Sequence, residues 1–192
     1  ADSTAPAMIT VEADLFDLDA ATAKKLDALF GGAVDAATVD ALQPLRRAKG
    51  AETLRLTCCE GQLSHVTVGS QATLRIYDGN RIEALPFASS TILEIRPVLA
   101  GGSVKLDVAL RTVKIVDPAA TTKIGGEDCD LPESTLGSLR TTLVVPAKGA
   151  ALLTLPRASR DAKQPRALLL RVTPSGGARD AGGRRQVVVA HP

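Results

Sequence analysis

Hydrophobic and polar residues alternate with a period of two at the start of the chain. From Met8 to Leu18, Ile9, Val11, Ala13 and Leu15 fall on one parity and Thr10, Glu12 and Asp14 on the other. This predicts a half-buried strand with Glu12 and Asp14 together on its exposed face. Asp19 then stands where a helix N-cap accepts backbone N–H groups. Ala23, Leu26, Leu29 and Phe30 follow at helical spacing over Ala20 to Phe30, and Gly31-Gly32 ends that helix. Asp35 opens a second helix with Val39, Leu42 and Leu45 on one face, and Pro44 inside the pattern predicts a kink or break.

From Glu52 onward helical spacing disappears and short alternating runs take over. Strands are predicted for Thr53 to Cys59, Ser64 to Val68, Ala72 to Tyr77, Arg81 to Leu85, Thr91 to Pro97, Ser103 to Val116, Leu139 to Val145, Ala150 to Leu155, Ala167 to Thr173 and Gln186 to Ala190. Asp78-Gly79-Asn80, Gly101-Gly102 and Pro146 to Gly149 are the turn signals between pairs of them. Asp117 to Leu136 and Arg157 to Arg166 read as loops, and Ser175 to Arg185 as a Gly-rich turn. The expected fold is α+β and β-dominated: an N-terminal strand and two helices, then about nine or ten short, mainly antiparallel strands. Residues 1–7 are expected to be a flexible leader, of the small, polar kind that follows an export cleavage site. Residues 8–174 form the domain, divided into 8–50 (strand plus helices) and 51–174 (strands), and 175–192 form a C-terminal turn and closing strand.

Composition narrows the function classes. The 192 residues are 45% hydrophobic but only 2% aromatic, and the net charge is +2. The core must therefore be aliphatic, platforms for stacking bases are scarce, and no basic footprint for nucleic acid stands out. Arg46-Arg47 and Arg184-Arg185 read as solvated charges. The two histidines lie far apart; His65 shares a strand with Ser64, whose side chain points to the opposite face, so no nucleophile–base pair is formed. No metal-ligand spacing and no phosphate-binding glycine loop is present, so no cofactor, no metal and no enzymatic activity are expected. Cys58 and Cys59 point to opposite faces of a strand, so at most one can bridge to Cys129. Such a disulfide closes a loop of about 70 residues and is worth ~4 kcal/mol; three buried thiols are the equal alternative.

Five stretches carry a family pattern. The first is Met8 to Leu18, with its Val11-Glu12-Ala13 step. Thr53 to Thr57 with Ser64 to Gly69 ends in Val68-Gly69. Thr91 to Pro97 with Gly102 to Val108 forms a hairpin. Thr141 to Gly149 leads into Leu152 to Leu155. Ala167 to Pro174 ends in Val172-Thr173-Pro174. In this order they resemble the C-terminal, wall-forming domain of bacterial secretins, the ring channels of type II and type III secretion systems. The resemblance implies a two-layer sheet and a ring of identical copies in the cell envelope, exported to the periplasm or outer membrane, with other envelope or secretion-system proteins as further partners. It also implies that strands pair between copies, with Val104, Leu106, Val108, Leu110, Leu143 and Val145 marking candidate pairing segments. The sequence departs from the pattern where that family inserts its gate. Ser70 to Ser90 is only a short hairpin, tipped by Asp78, Gly79 and Asn80, and a full gate is not expected. Ser103 to Val113 just reaches the length of a membrane-crossing strand, yet its apolar face fits sandwich core better. The alternative is a monomeric periplasmic β-sandwich that binds or adapts other proteins.

Overall fold

The computed structural model describes residues 7–115, 120–155 and 165–175. Residues 1–6 of the expected 1–7 leader, residues 157–164 of the expected Arg157 to Arg166 loop, the expected Ser175 to Arg185 turn beyond Ser175 and the expected closing strand Gln186 to Ala190 lie outside the described residues.

Strand β1 (Met8–Asp17) leads into helix α1 (Ala20–Leu26) and a 3-10 turn, Asp27–Leu29. A three-residue strand, β2 (Gly32–Val34), precedes helices α2 (Ala36–Ala41) and α3 (Gln43–Arg46). Both predicted caps are made: Asp19 Oδ1 accepts from the Thr22 N–H and Asp35 Oδ1 from the Thr38 N–H, each at 2.8 Å. The predicted break occurs at Leu42, and Pro44 sits in the first turn of α3, where a missing N–H costs nothing.

The remaining strands are β3 (Glu52–Cys59), β4 (Ser64–Tyr77), β5 (Ile82–Ala100), β6 (Ser103–Ile115), β7 (Ala120–Ile124), β8 (Glu127–Leu131), β9 (Ser134–Pro146), β10 (Ala150–Leu155) and β11 (Arg166–Ser175). They form two four-stranded antiparallel sheets and a separate hairpin. The first sheet has the order β10-β11-β1-β3, the second β4-β5-β6-β9, and β7 pairs with β8. Three of the four strands of the second sheet, β4, β5 and β9, are longer than expected, while β6 runs close to its expected length. Ser64 to Val68 and Ala72 to Tyr77 are one strand, paired without interruption from Ser64↔Ile95 to Tyr77↔Ile82. Part of the expected Asp117 to Leu136 loop is the β7–β8 hairpin and the start of β9.

The two sheets face each other over one aliphatic core. Ile9, Val11, Ala13 and Leu15 of β1 meet Leu93 and Ile95 of β5 and Val104, Leu106, Val108 and Leu110 of β6. A second cluster fills the other side of the first sheet: Phe16, Leu18, Leu152, Ala167 and Leu169 pack under Leu42, with Ala23, Leu26, Phe30, Val39 and Leu45 from the helices and the turn. The first sheet is thus buried on both faces, which is why Leu152-Leu153 and Leu168-Leu169-Leu170 are continuous apolar runs. The second sheet has one covered face and one open face.

The helix layer overturns the expected solvated positions of Asp14 and Arg46. Asp14 is 1% exposed. Its carboxylate accepts from Arg46 Nε at 2.6 Å and from the Thr53 hydroxyl at 2.7 Å, and lies 3.4 Å from Arg171 Nη2. Glu12 pairs with Arg171 at 2.7 Å. These two carboxylates fasten α3 and β11 to β1, because a buried charge needs a bonded counter-charge.

Candidate assembly edges

The sequence-predicted pairing residues have two different fates. Val104, Leu106, Val108 and Leu110 lie on β6, which is bonded to β5 on one side and β9 on the other. Their side chains are at most 2% exposed. This corrects the expected pairing between copies through β6: an interior strand has no free main chain to offer. Leu143 and Val145 also point into the core, but their strand, β9, is an edge.

Alternation decides which main-chain groups at the edges are open. In an antiparallel pair, successive residues turn their N–H and C=O alternately toward and away from the partner. The Ala147 N–H bonds Gly102 O at 3.0 Å, so Val145, Leu143, Thr141 and Leu139 bond inward to β6. Val144, Thr142, Arg140, Ser138 and Leu136 therefore turn theirs outward. On β4, the Asp78 N–H bonds Arg81 O at 3.1 Å, so even-numbered residues bond β5. His65, Thr67, Gly69, Gln71 and Thr73 turn outward. Among the described residues no main-chain hydrogen bond reaches these ten positions.

Further along β4 the edge is closed. The Arg75 N–H donates to Asp130 Oδ2 at 2.6 Å, the Cys129 thiol donates to Arg75 O at 3.3 Å, and Arg75 Nη2 meets Glu127 at 3.1 Å. Strand β8 thus caps β4 just where the hairpin leaves the sandwich. At its tip, Asp78 Oδ1 accepts from the Asn80 and Arg81 N–H groups at 2.8 and 2.9 Å. The bond from Arg81, followed by that from Asn80, holds the Asp78 carboxyl below its ordinary pKa. Gly79 supplies the positive φ of 102° that the turn requires, and the Tyr77 hydroxyl donates to Gly79 O at 2.7 Å.

All three cysteines are free thiols. Cys58 donates to Ile9 O at 3.6 Å, Cys59 lies 3.5 Å from Met8 Sδ, and Cys129 is held on β8. Of the two alternatives, a disulfide or free thiols, the structure holds the thiols, with Cys58 and Cys129 buried and Cys59 half-buried; burial raises the Cys58 pKa.

The open face of the second sheet is polar across its middle. Lys105, Asp107 and Arg111 of β6 project there, beside Glu94 and Arg96 of β5, Arg140 and Thr142 of β9 and the exposed His65 of β4. Thr142 donates to Asp107 at 2.7 Å. Among the described residues no group of three or more His, Cys, Asp or Glu side chains is placed to hold a metal, and no helix is long and apolar enough to cross a membrane. A cleft of about 360 Å³ lies where the hairpin departs, lined by Glu52, Gly69, Ser89, Thr91 and Lys114 among others.

No family model matches the chain, and no curated protein does. Among the solved structures that it resembles are secretins. One is the InvG secretin domain β-barrel of the Salmonella SPI-1 injectisome, with 9% identity, a TM-score of 0.44, and coverage of 92% of this chain and 64% of that one. Another is the type II secretin GspD of enteropathogenic Escherichia coli, at 13% identity and a TM-score of 0.44, covering 90% and 70%. A third is the type IV competence pilus secretin PilQ of V. cholerae, at 10% and 0.41, covering 88% and 61%. The chain spans less than two thirds of the InvG and PilQ chains. Identities this low describe a likeness of fold and carry nothing about assembly.

Proposed function

We propose that this chain is the structural subunit of a homo-oligomeric ring or β-barrel in the bacterial cell envelope, joined by pairing β9 of one copy to β4 of the next. One observation carries the proposal. The two open edges of the second sheet, β4 and β9, run in opposite directions, because the sheet's four strands alternate up and down. Head-to-tail pairing of copies therefore extends the sheet as an unbroken antiparallel ladder. Five outward residues on each edge match in number, and each main-chain hydrogen bond contributes on the order of 1 kcal/mol. Closure into a barrel removes both edges.

The polar middle of the open face sets the surroundings of that wall. A lipid-facing strand alternates apolar side chains outward, whereas β6 presents Lys105, Asp107 and Arg111. In the proposed ring this face lines water. The subunit acts mechanically, as pore wall or scaffold, with its own copies as main partners and other envelope or secretion-system proteins beyond them. The exported location follows from that role. Asp78, Gly79 and Asn80 close a hairpin too short for a gate.

Proline at an outward-facing edge position removes a donor between copies and leaves every bond within the subunit intact. Ser138→Pro on β9 and Thr67→Pro on β4 are the variants. Mass photometry of the wild type is expected to show a closed species of many copies, and both variants are expected to remain near 20 kDa with native circular dichroism. A wild type that stays near 20 kDa at micromolar concentration, with and without detergent, overturns the ring and favours a monomeric adaptor module.

A further inference from the structure

Pairing of β9 with the next copy's β4 admits more than one register, and both edges constrain it. On β9, Pro146 stands at the next outward position after Val144. It has no N–H, and its carbonyl already accepts from the Gly149 N–H at 2.8 Å, so the ladder between copies ends at Val144. On β4, Asp130 takes the Arg75 N–H and the Cys129 thiol takes its carbonyl, so the ladder ends at Thr73. Outward positions meet only outward positions, because opposite residues exchange both bonds. The registers that remain differ by steps of two residues.

Closure selects among them. Val66, Leu93, Leu110 and Leu139 form one row across the second sheet. When Val144 of one copy stands opposite His65 of the next, Leu143 stands opposite Val66, four residues on from Leu139. Each copy then adds a stagger of four residues for its four strands. A barrel whose stagger equals its strand number tilts its strands by about 36°, within the range of about 35–45° that closure requires. A step of two residues one way halves the stagger, and strand rise and spacing then give a tilt of only about 19°. A step the other way gives about 46°. It also sets Leu136 against the capped Arg75 and Pro146 against His65, which leaves both without partners.

We propose that copies join in this one register, with Val144 opposite His65, Thr142 opposite Thr67 and Leu136 opposite Thr73. The register presupposes the ring proposed above and fixes how its members meet. The side chains fit it. Thr142 with Thr67 and Ser138 with Gln71 are pairs that hydrogen-bond across strands. Arg140 lies opposite Gly69, which has no side chain to obstruct it. On the core side Leu143 meets Val66, which is only partly buried within one copy. Thr141 covers Val68, which is 46% exposed. The aliphatic core thus runs on from copy to copy, and β8, docked on Arg75, is the stop that sets where the ladder begins.

Disulfide trapping tests it on the full chain carrying Cys59→Ser, which leaves the buried Cys58 and Cys129 as the native thiols. Thr67→Cys is combined in turn with Thr142→Cys, Arg140→Cys or Val144→Cys. Opposite residues lie about 5.5 Å apart at Cα, within reach of a disulfide, and a step of two residues exceeds that reach. Within one copy β4 and β9 are three strand spacings apart, about 14 Å, so any bridge joins two copies. Mass photometry is expected to show the assembled particle for all three variants. After oxidation, Thr67→Cys with Thr142→Cys is expected to give a ladder of covalent multimers on a denaturing gel, at least about tenfold stronger than the other two combinations. Gln71→Cys with Ser138→Cys, a second pair in the same register, should match it. A stronger ladder from the Arg140 or Val144 combination overturns the register and leaves the ring standing. So does an assembled particle that none of the pairs traps. A wild type that stays monomeric overturns the register together with the ring.

Discussion

Asp14 shows how one residue ties sequence, packing and stability together. Its parity with Thr10 and Glu12 suggested water, but the same parity continues through Phe16 and Leu18, which are apolar and buried. That continuation was the legible sign of a third layer over this face. The Arg46 partner was not legible, because nothing in the local pattern of α3 says which strand it covers. Removing one member of a buried, bonded charge pair leaves the other uncompensated, at about 3–5 kcal/mol. Asp14→Ala is accordingly expected to lower stability by that amount in urea unfolding, leaving Arg46 and Arg171 without their shared acceptor. Glu12→Ala, a half-exposed neighbour, should cost about 1 kcal/mol or less.

At the scale of elements, strand existence was readable and strand length was not. Alternation marked the sandwich halves of β4, β5, β6 and β9 correctly, because one face of each is core. It failed on Gly69-Ser70-Gln71 and Ala88-Ser89-Ser90, where small and polar residues read as breaks. Those residues pair straight through. The β7–β8 hairpin was missed because its strands are mostly polar and are held by docking on Arg75 rather than by an apolar face. Gly69 is there for space: a Cβ added to it would sit 2.5 Å from Ser89 O. Main chain of a paired strand cannot give way cheaply, so Gly69→Ala is expected to destabilise by about 1–3 kcal/mol. Thermal melting of the variant checks this; an unchanged midpoint would mean that the strand shifts freely at this point.

For the whole molecule, the question is what keeps two sheets in register when the core between them is slippery aliphatic surface. Glu52 at the start of β3 spans the gap. It accepts from the Thr91 hydroxyl of the facing sheet at 2.6 Å and pairs with Lys114 at 2.8 Å and Arg166 at 3.5 Å. Burial works to raise its pKa, but Lys114, Thr91 and Arg166 together outweigh it, and the result is a carboxyl below the ordinary 4.5. A depressed carboxyl stabilises the fold above its unfolded pKa, and that contribution is lost as pH falls through the folded value. The stability advantage of the wild type over Glu52→Gln is therefore expected to be full at pH 7 and to be lost progressively as the pH falls below 4.5 and through the folded value, as denaturant titrations at a series of pH values can follow. The β-dominated α+β class was legible from alternation alone, whereas the two-layer sheet was only implied by the resemblance of the five stretches. The identity of the open edges was not, since edge and interior strands share the same period and only the pairing order separates them.

An even strand count has a consequence for copy number. A sheet contributed in fours, alternately directed, meets its neighbour with opposed strands at every junction, so the proposed ring contains no like-directed seam whether it has an odd or an even number of members. Three strands per member would instead meet like-directed at every head-to-tail junction. With direction imposing no parity rule, only curvature and tilt select the size. Native mass spectra of the assembled particle should then show neighbouring populations that differ by a single copy, not by two.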